Sequence, residues 1–467
     1  MCAVVLIARA GQCAAQESVD RSGRIWLDEV NTHLVESNTS WTNSVSATPA
    51  VPGIPQPETI RNQTFRMASQ STSGQPFEQM PGGFAATGNG SQGRFITGFG
   101  ASDSASKVGT DFYSAPEFAG GVIVYGQDIA MKIGGYVKAD FIYDFDPIDS
   151  TDSFDTTTIP VGATPRTNSR FHARQTRLSM DTRWIADDRP IRFYVESDFF
   201  SDGDRLRLRR AFGESGALLF GQTWTTFTDV AAAPATLDFE GSVSSVNRRQ
   251  AQARFTRKFL NDRIQWAVAV EDTRFLIELP PGVMGESRSP SPDFVSHLRL
   301  ELDWARFHVG SLYRIAGFQP DGMRVSTSNA WGFNFTGVIK PDDDLKVYFQ
   351  VLFGNGIGSY RNLPDAAPTG TNSGELLPLF GWMVGTTRNW TDTLSSNFTL
   401  AENSIDSTLF QDPNGVRETT YLAANLIWSP YDRIKVGIEY LHGVRVNVDG
   451  QSAGANRIQA SFIFELP

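Results

Sequence analysis

In the run RLRLRRAF, Arg205, Arg207 and Arg209 alternate with Leu206 and Leu208. On an extended strand the side chains at i and i+2 share a face, so three guanidiniums would form a ladder opposite two leucines. By the same parity Arg177, Arg183, Arg192 and Arg254, in neighbouring alternating segments, fall on the ladder's face. A guanidinium stays charged at any physiological pH and offers carboxylates a planar fork of donors. Opposite the ladder in strand order, the segment 226–249 carries Asp229, Asp238 and Glu240. A basic ladder facing an acidic loop makes a transverse field that favours anions while still passing dipolar solutes. The structural alternative for these arginines is ion pairing with Glu196, Asp198 and Asp181 on adjacent strands, and the two roles can coexist.

Residues suited to bond-making chemistry are sparse. The five histidines, His33, His172, His297, His308 and His442, fall in no hydrolase or metal-binding spacing such as HExxH. Ser296 and His297 are adjacent on a strand and point to opposite faces, which forbids a direct pair. The three carboxylates of 342–344 read as a solvated turn; calcium is the competing reading. No enzymatic activity, no cofactor and no nucleic-acid partner is expected.

The elements that position the arginines are short and β-periodic. The chain has 467 residues, a formal charge of −10, 40% hydrophobic and 12% aromatic residues, and no apolar run near its start longer than 3–8. A spanning helix needs about 20 apolar residues, so a helical membrane protein is excluded. The only membrane-spanning fold left is a closed barrel, which pairs every backbone polar group within itself. In PIRFYVESDFF, Ile191, Phe193 and Val195 oppose Arg192, Tyr194 and Glu196. The same period of two recurs at Leu298, Leu300 and Leu302, at Val347, Phe349 and Val351, and at Val436 and Ile438.

About sixteen such strands follow one another between 131 and 464. Every second connection is a tight turn, as at 186–190, 260–263 and 340–344, while those between are mostly long, as at 146–168, 226–249, 272–293 and 354–379. A β-sandwich has no reason to alternate loop length, whereas short periplasmic turns and long extracellular loops are the habit of outer-membrane barrels. Strands running into a short turn commonly end in a ring, at Trp184, Phe212, Phe259, Trp304, Trp390, Trp428 and Phe464, which makes an interfacial girdle. Residues 1–16, which hold Cys2 and Cys13, read as a signal peptide. Residues 17–121 form a Ser-, Pro- and Gly-rich periplasmic extension, and 122–467 the barrel. The long loop 226–249, after the fifth strand, is the segment expected to narrow the lumen.

Arg210 breaks the parity, because it shares a face with Leu206, Leu208 and Phe212. An arginine facing lipid at mid-depth costs roughly 2–4 kcal/mol, so Arg210 is expected at a subunit interface or near the rim, with strands one to five forming a trimer contact.

The segment GGYVKADFIYDFDPIDSTDSF, then RLRLRRAFGESGALLFGQTWTTFTD, then TLDFEG resembles the DcaP-like family of trimeric outer-membrane porins, and the likeness spans nearly all of 131–464. The chain differs at its N-terminus, where better-known members carry a heptad-rich coiled coil. The resemblance implies a sixteen-stranded homotrimer in outer-membrane lipid that passes small anionic solutes, dicarboxylates and aromatic carboxylates in particular. The other function left open is a cell-surface adhesion barrel whose loops, rather than its bore, do the binding.

Overall fold

The computed structural model describes residues 122–466, apart from 126–128, 187–188, 280–284, 321–323 and 371–372. The expected signal peptide and extension, 1–121, lie outside the described residues. Sixteen strands follow in sequence order. They are β1 (Ile129–Asp144), β2 (in two segments, Asn168–His172 and Arg177–Ala186), β3 (Arg189–Asp198) and β4 (Arg207–Ser215). Next come β5 (Leu218–Trp224), β6 (Arg249–Phe259), β7 (Ile264–Glu271) and β8 (Asp293–Glu301). The second half holds β9 (Ala305–Pro320), β10 (Ser326–Asp342), β11 (Leu345–Asn355) and β12 (Pro378–Thr391), then β13 (Leu394–Ile405), β14 (Val416–Tyr431), β15 (Ile434–Asn447) and β16 (Ser452–Glu465). Each pairs antiparallel with the next, and β16 returns to β1 from Glu465 on Tyr136 to Arg457 on Asp144. The barrel is closed, so no strand offers an unpaired edge to hydrocarbon.

The faces are sorted the opposite way from a soluble sheet. Along β1 the buried residues include Lys138, Asp140 and Asp144, with Ala130 and Ile142, and the exposed ones are Ile133, Val137 and Phe141. Along β11, Lys346, Tyr348 and Gln350 point inward between the apolar Val347, Phe349 and Val351. Greasy side chains outside and polar ones inside are stable only where the surroundings are acyl chains, and this excludes a sandwich. The rings at Trp184, Phe259, Trp304, Trp390, Trp428 and Phe464 are all exposed on the outer face. Phe212 departs from that series and stacks on the buried Tyr194, with ring centroids 5.5 Å apart.

Seven connections are tight turns of two to four residues at one end of the barrel. At the other end the loops are long except 321–325 and 448–451, which are shorter than the alternation predicts. The reason is strand length. With 16 and 17 residues, β9 and β10 exceed the 9–11 that cross a bilayer and continue past it as a hairpin, which shortens the link. By contrast β5 has 7 residues and β7 has 8, so the wall is lowest where the constriction loop leaves it.

Candidate functional site

The segment 225–248, between β5 and β6, folds into the bore and crosses it. A loop that leaves the sheet has no ladder for its backbone, so buried N–H and C=O groups must be met by side chains. The inward faces of distant strands supply them. Asn334 on β10 donates to the Phe227 carbonyl at 2.7 Å, and Asn425 on β14 donates to the Ala235 carbonyl at 2.7 Å. The Val243 and Ser244 carbonyls accept from Asn403 and Gln350. Apolar loop residues pack beside them: Phe227 and Val246 with Leu312 and Leu352, and Val243 with Tyr348 and Tyr421. The wall leaves room for this, since a Cβ on Gly437 would lie 2.8 Å from Leu237 and one on Gly310 3.0 Å from the Phe227 carbonyl.

The bore wall built by β2, β3 and β4 carries a compact cluster of arginines. Arg207 grips Asp198 with two hydrogen bonds, at 3.0 and 2.8 Å. Arg209 reaches Glu196 at 2.9 Å and Asp198 at 2.6 Å, and Arg177 stands 3.8 Å from Glu196. Arg249 lies over the Trp224 ring at 4.5 Å and within electrostatic reach of Arg177, Arg207 and Arg209. Nearer the tight turns, Arg192 holds Asp181 with two bonds, at 3.0 and 3.1 Å, and stands 3.7 Å from Glu214, while Arg183 meets Asp181 at 3.3 Å. Arg254 lies within electrostatic reach of Glu214 and Glu271. The pairings with Glu196, Asp198 and Asp181 weighed in the sequence are thus all present. Arg205 belongs to neither group; it is exposed in the segment before β4 and extends no ladder.

Arg210 is not on the outer face. The β3–β4 register shifts between Glu196, opposite Arg210, and Ser197, opposite Leu208, so Arg209 is an extra residue in the ladder. One inserted residue reverses the parity of everything after it. Arg210 therefore turns inward, where its guanidinium bonds Glu196 and the Tyr194 hydroxyl, the latter at 2.8 Å, and covers the Tyr194 ring. The same reversal takes Phe212 out of the girdle. With Arg210 placed here, the expectation that put it at a subunit interface or the rim loses its premise.

The cluster then sets five guanidiniums, at Arg177, Arg207, Arg209, Arg210 and Arg249, against two carboxylates, Glu196 and Asp198. Arg177 is 3% exposed, and its Nε and Nη2 have no hydrogen-bond partner among the described residues.

The acidic loop residues do not face this cluster. Asp229 pairs with Arg306 on β9 at 2.9 Å and accepts from Thr336 at 2.9 Å. Burial opposes its charge, yet Arg306, helped by His308 and Arg299, holds the carboxyl well below the usual carboxylate range. Asp238 accepts the backbone N–H groups of Phe154, Glu240 and Gly241, and burial pushes its carboxyl up. Glu240 lies 3.6 Å from Arg361, and burial, with Asp155 adding, raises it to about 7. What the loop turns toward the arginines is Phe239. Its ring stacks on Phe200 at 3.8 Å and 7°, and Arg207 sits 5.2 Å from the Phe239 centroid and 5.7 Å from that of Phe200. The one sequence signal for Phe239 is its place in TLDFEG, between the two carboxylates that drew attention instead.

Residues 122–461 match the family model described as DcaP outer membrane protein. No curated protein sequence matches the chain. Among solved structures, the outer membrane channel DcaP of Acinetobacter baumannii superposes with a TM-score of 0.66 at 21% identity, covering 74% of this chain and 100% of that one. An anion-selective porin from Comamonas acidovorans gives 0.49 at 8% identity, covering 73% of this chain and 100% of that one. OmpT of Vibrio cholerae with its loop L8 deleted gives 0.48 at 12% identity, with the same coverage.

Proposed function

The chain belongs to the DcaP outer membrane protein family, whose members are outer-membrane channels, and from that premise we propose that its bore favours small anions, dicarboxylates and aromatic carboxylates among them. The observation that carries this reading is the excess of guanidinium over carboxylate at the constriction, five arginines around Glu196 and Asp198. Arg207, about a third exposed, presents its guanidinium to the bore, where a passing carboxylate can accept from it. Charge focused in a narrow, low-dielectric passage raises the local concentration of the opposite ion. The stacked faces of Phe200 and Phe239 add a surface on which a planar solute can lie beside the guanidiniums.

The test is a reversal-potential measurement in planar bilayers under a salt gradient. Anion preference supports the reading, and a clear cation preference sinks it. We further propose a homotrimer packed through the outer faces of β1 to β5, where Val137, Phe141, Leu178, Phe193 and Phe220 stand exposed. Cross-linking in native membranes that stops at a monomer would count against the trimer alone.

A further inference from the structure

Residues 237–239 form the inner tip of the constriction loop, and they meet the wall through an unusually specific set of contacts. The N–H groups of Leu237 and Asp238 both donate to one carboxylate oxygen of Glu439, at 2.9 and 2.7 Å. The other oxygen accepts from Asn425 at 2.9 Å. The Leu237 carbonyl accepts from Lys138 Nζ and from Gln459 Nε2, the latter at 3.1 Å. Glu439 and Lys138 are both fully buried. The Leu237 side chain lies over Gly437, two residues before Glu439 on β15, and packs with Ile427 and Ile463. The next residue but one, Phe239, is the ring that stacks on Phe200 beside Arg207.

One carboxylate thus holds two consecutive backbone donors while an ammonium takes the carbonyl between them. Bonds to a charged acceptor or donor are about twice as strong as neutral ones, and two at one peptide fix its orientation as well as its position. The stretches on either side are held separately, by Arg306 and Thr336 at Asp229 and by Asn403 and Gln350 at 243–244. The Phe154 N–H also donates to Asp238 at 2.8 Å and Gln459 still bonds the Leu237 carbonyl, so losing Glu439 or Lys138 loosens the tip and leaves the base of the loop in place.

We propose that Glu439 and Lys138 are a latch that fixes the loop tip, and that they set the largest solute the channel admits by holding Phe239 across the bore. These are positioning residues that act through the loop. The proposal concerns the width of the channel and stands whether or not anions are favoured.

The experiment compares the full chain with Glu439→Ala and Lys138→Met variants, each checked for a folded barrel by its heat-modifiable gel mobility. Single-channel conductance and liposome swelling with a size series of neutral sugars are the readouts, because an uncharged solute reports width and not charge selection. Both variants are expected to raise conductance roughly twofold and admit larger sugars. A Phe239→Cys reporter is expected to react faster with a water-soluble thiol reagent when combined with Glu439→Ala. Folded variants that keep the parent conductance, sugar limit and labelling rate overturn the latch. A shifted sugar limit beside a cation-favouring reversal potential keeps the latch and rejects the anion reading.

Discussion

The two sides of the bore solve the same problem with different chemistry. On the β2–β4 side, buried charge is matched by charge: Arg207, Arg209, Arg210 and Arg177 around Glu196 and Asp198. On the β10–β14 side, the constriction loop is carried mainly by neutral amides, those of Asn334, Gln350, Asn403 and Asn425 donating to its carbonyls. Where the loop does bring a carboxylate to that wall, Arg306 neutralises Asp229 at 2.9 Å. The difference teaches that holding the loop and creating the field are separable tasks. The amides add no net charge, and the cations that hold the loop each stand beside a carboxylate, Lys138 by Asp140, Arg306 by Asp229 and Arg361 by Glu240, so the excess positive charge in the passage is that of the arginine side.

The comparison breaks most visibly on the charged side. In Arg209→Glu a third carboxylate would join Glu196 and Asp198 where the guanidinium now lies 2.9 and 2.6 Å from them. Unpaired buried charge costs on the order of 3–5 kcal/mol, and the expected outcome is loss of the heat-resistant folded band on a gel. On the amide side Asn425→Ala removes the donors to Ala235 and Glu439 but leaves no charge stranded by a like one. It is expected to lower the unfolding midpoint by an amount equivalent to about 1–3 kcal/mol, read by intrinsic fluorescence in urea, and to leave the reversal potential unchanged. A selectivity shift in Asn425→Ala would blur the division.

How much of this was legible in the sequence follows from the same contrast. The order of all sixteen strands could be read, and so could the outward faces of strands such as β3, β8, β11 and β15, because lipid imposes a strict period of two and each wrong residue there is expensive. The place of the constricting loop could be read too, from its length after the fifth strand. The bulge at Arg209 could not. It is a one-residue choice of backbone, and counting parity straight through it placed Arg210 and Phe212 on the wrong face. Nor could the partners of Asp229, Asp238 and Glu240, because those contacts join residues far apart in the chain, 84 positions for Phe154 with Asp238 and 201 for the Asp238 N–H with Glu439. Polar residues on the far wall look alike until the fold selects among them.

Sharper than stability is the charge balance itself. Among the described residues, Arg177 and Arg249 are the two guanidiniums of the cluster without a hydrogen-bonded carboxylate. Replacing both with glutamine takes away two of the uncompensated charges and leaves the Arg207–Asp198 and Arg209–Glu196 bonds standing. The anion-to-cation permeability ratio is expected to fall roughly threefold, and raising the salt concentration is expected to shrink the gap between variant and parent by screening. An unchanged ratio would mean that the field comes from elsewhere in the bore.

The smallest expected effect is one of pH, and it arises from Glu240. Its carboxyl is raised to about 7 by burial and by Asp155, against the pull of Arg361. Below that pH it is protonated and adds nothing to the field; as the pH rises through 7 it ionises and places a negative charge on the loop residue next to Phe239. The sign is therefore a loss of anion preference with rising pH, of less than about twofold because Arg361 stands 3.6 Å away and shares the new charge. Asp229 contributes no such slope, since Arg306 keeps it ionised throughout the range. In Glu240→Gln the slope of the reversal potential between pH 6 and pH 8, the flanks of that titration, is expected to shrink. A slope left unchanged by this substitution would assign the titration to a group on the wall and not to the loop.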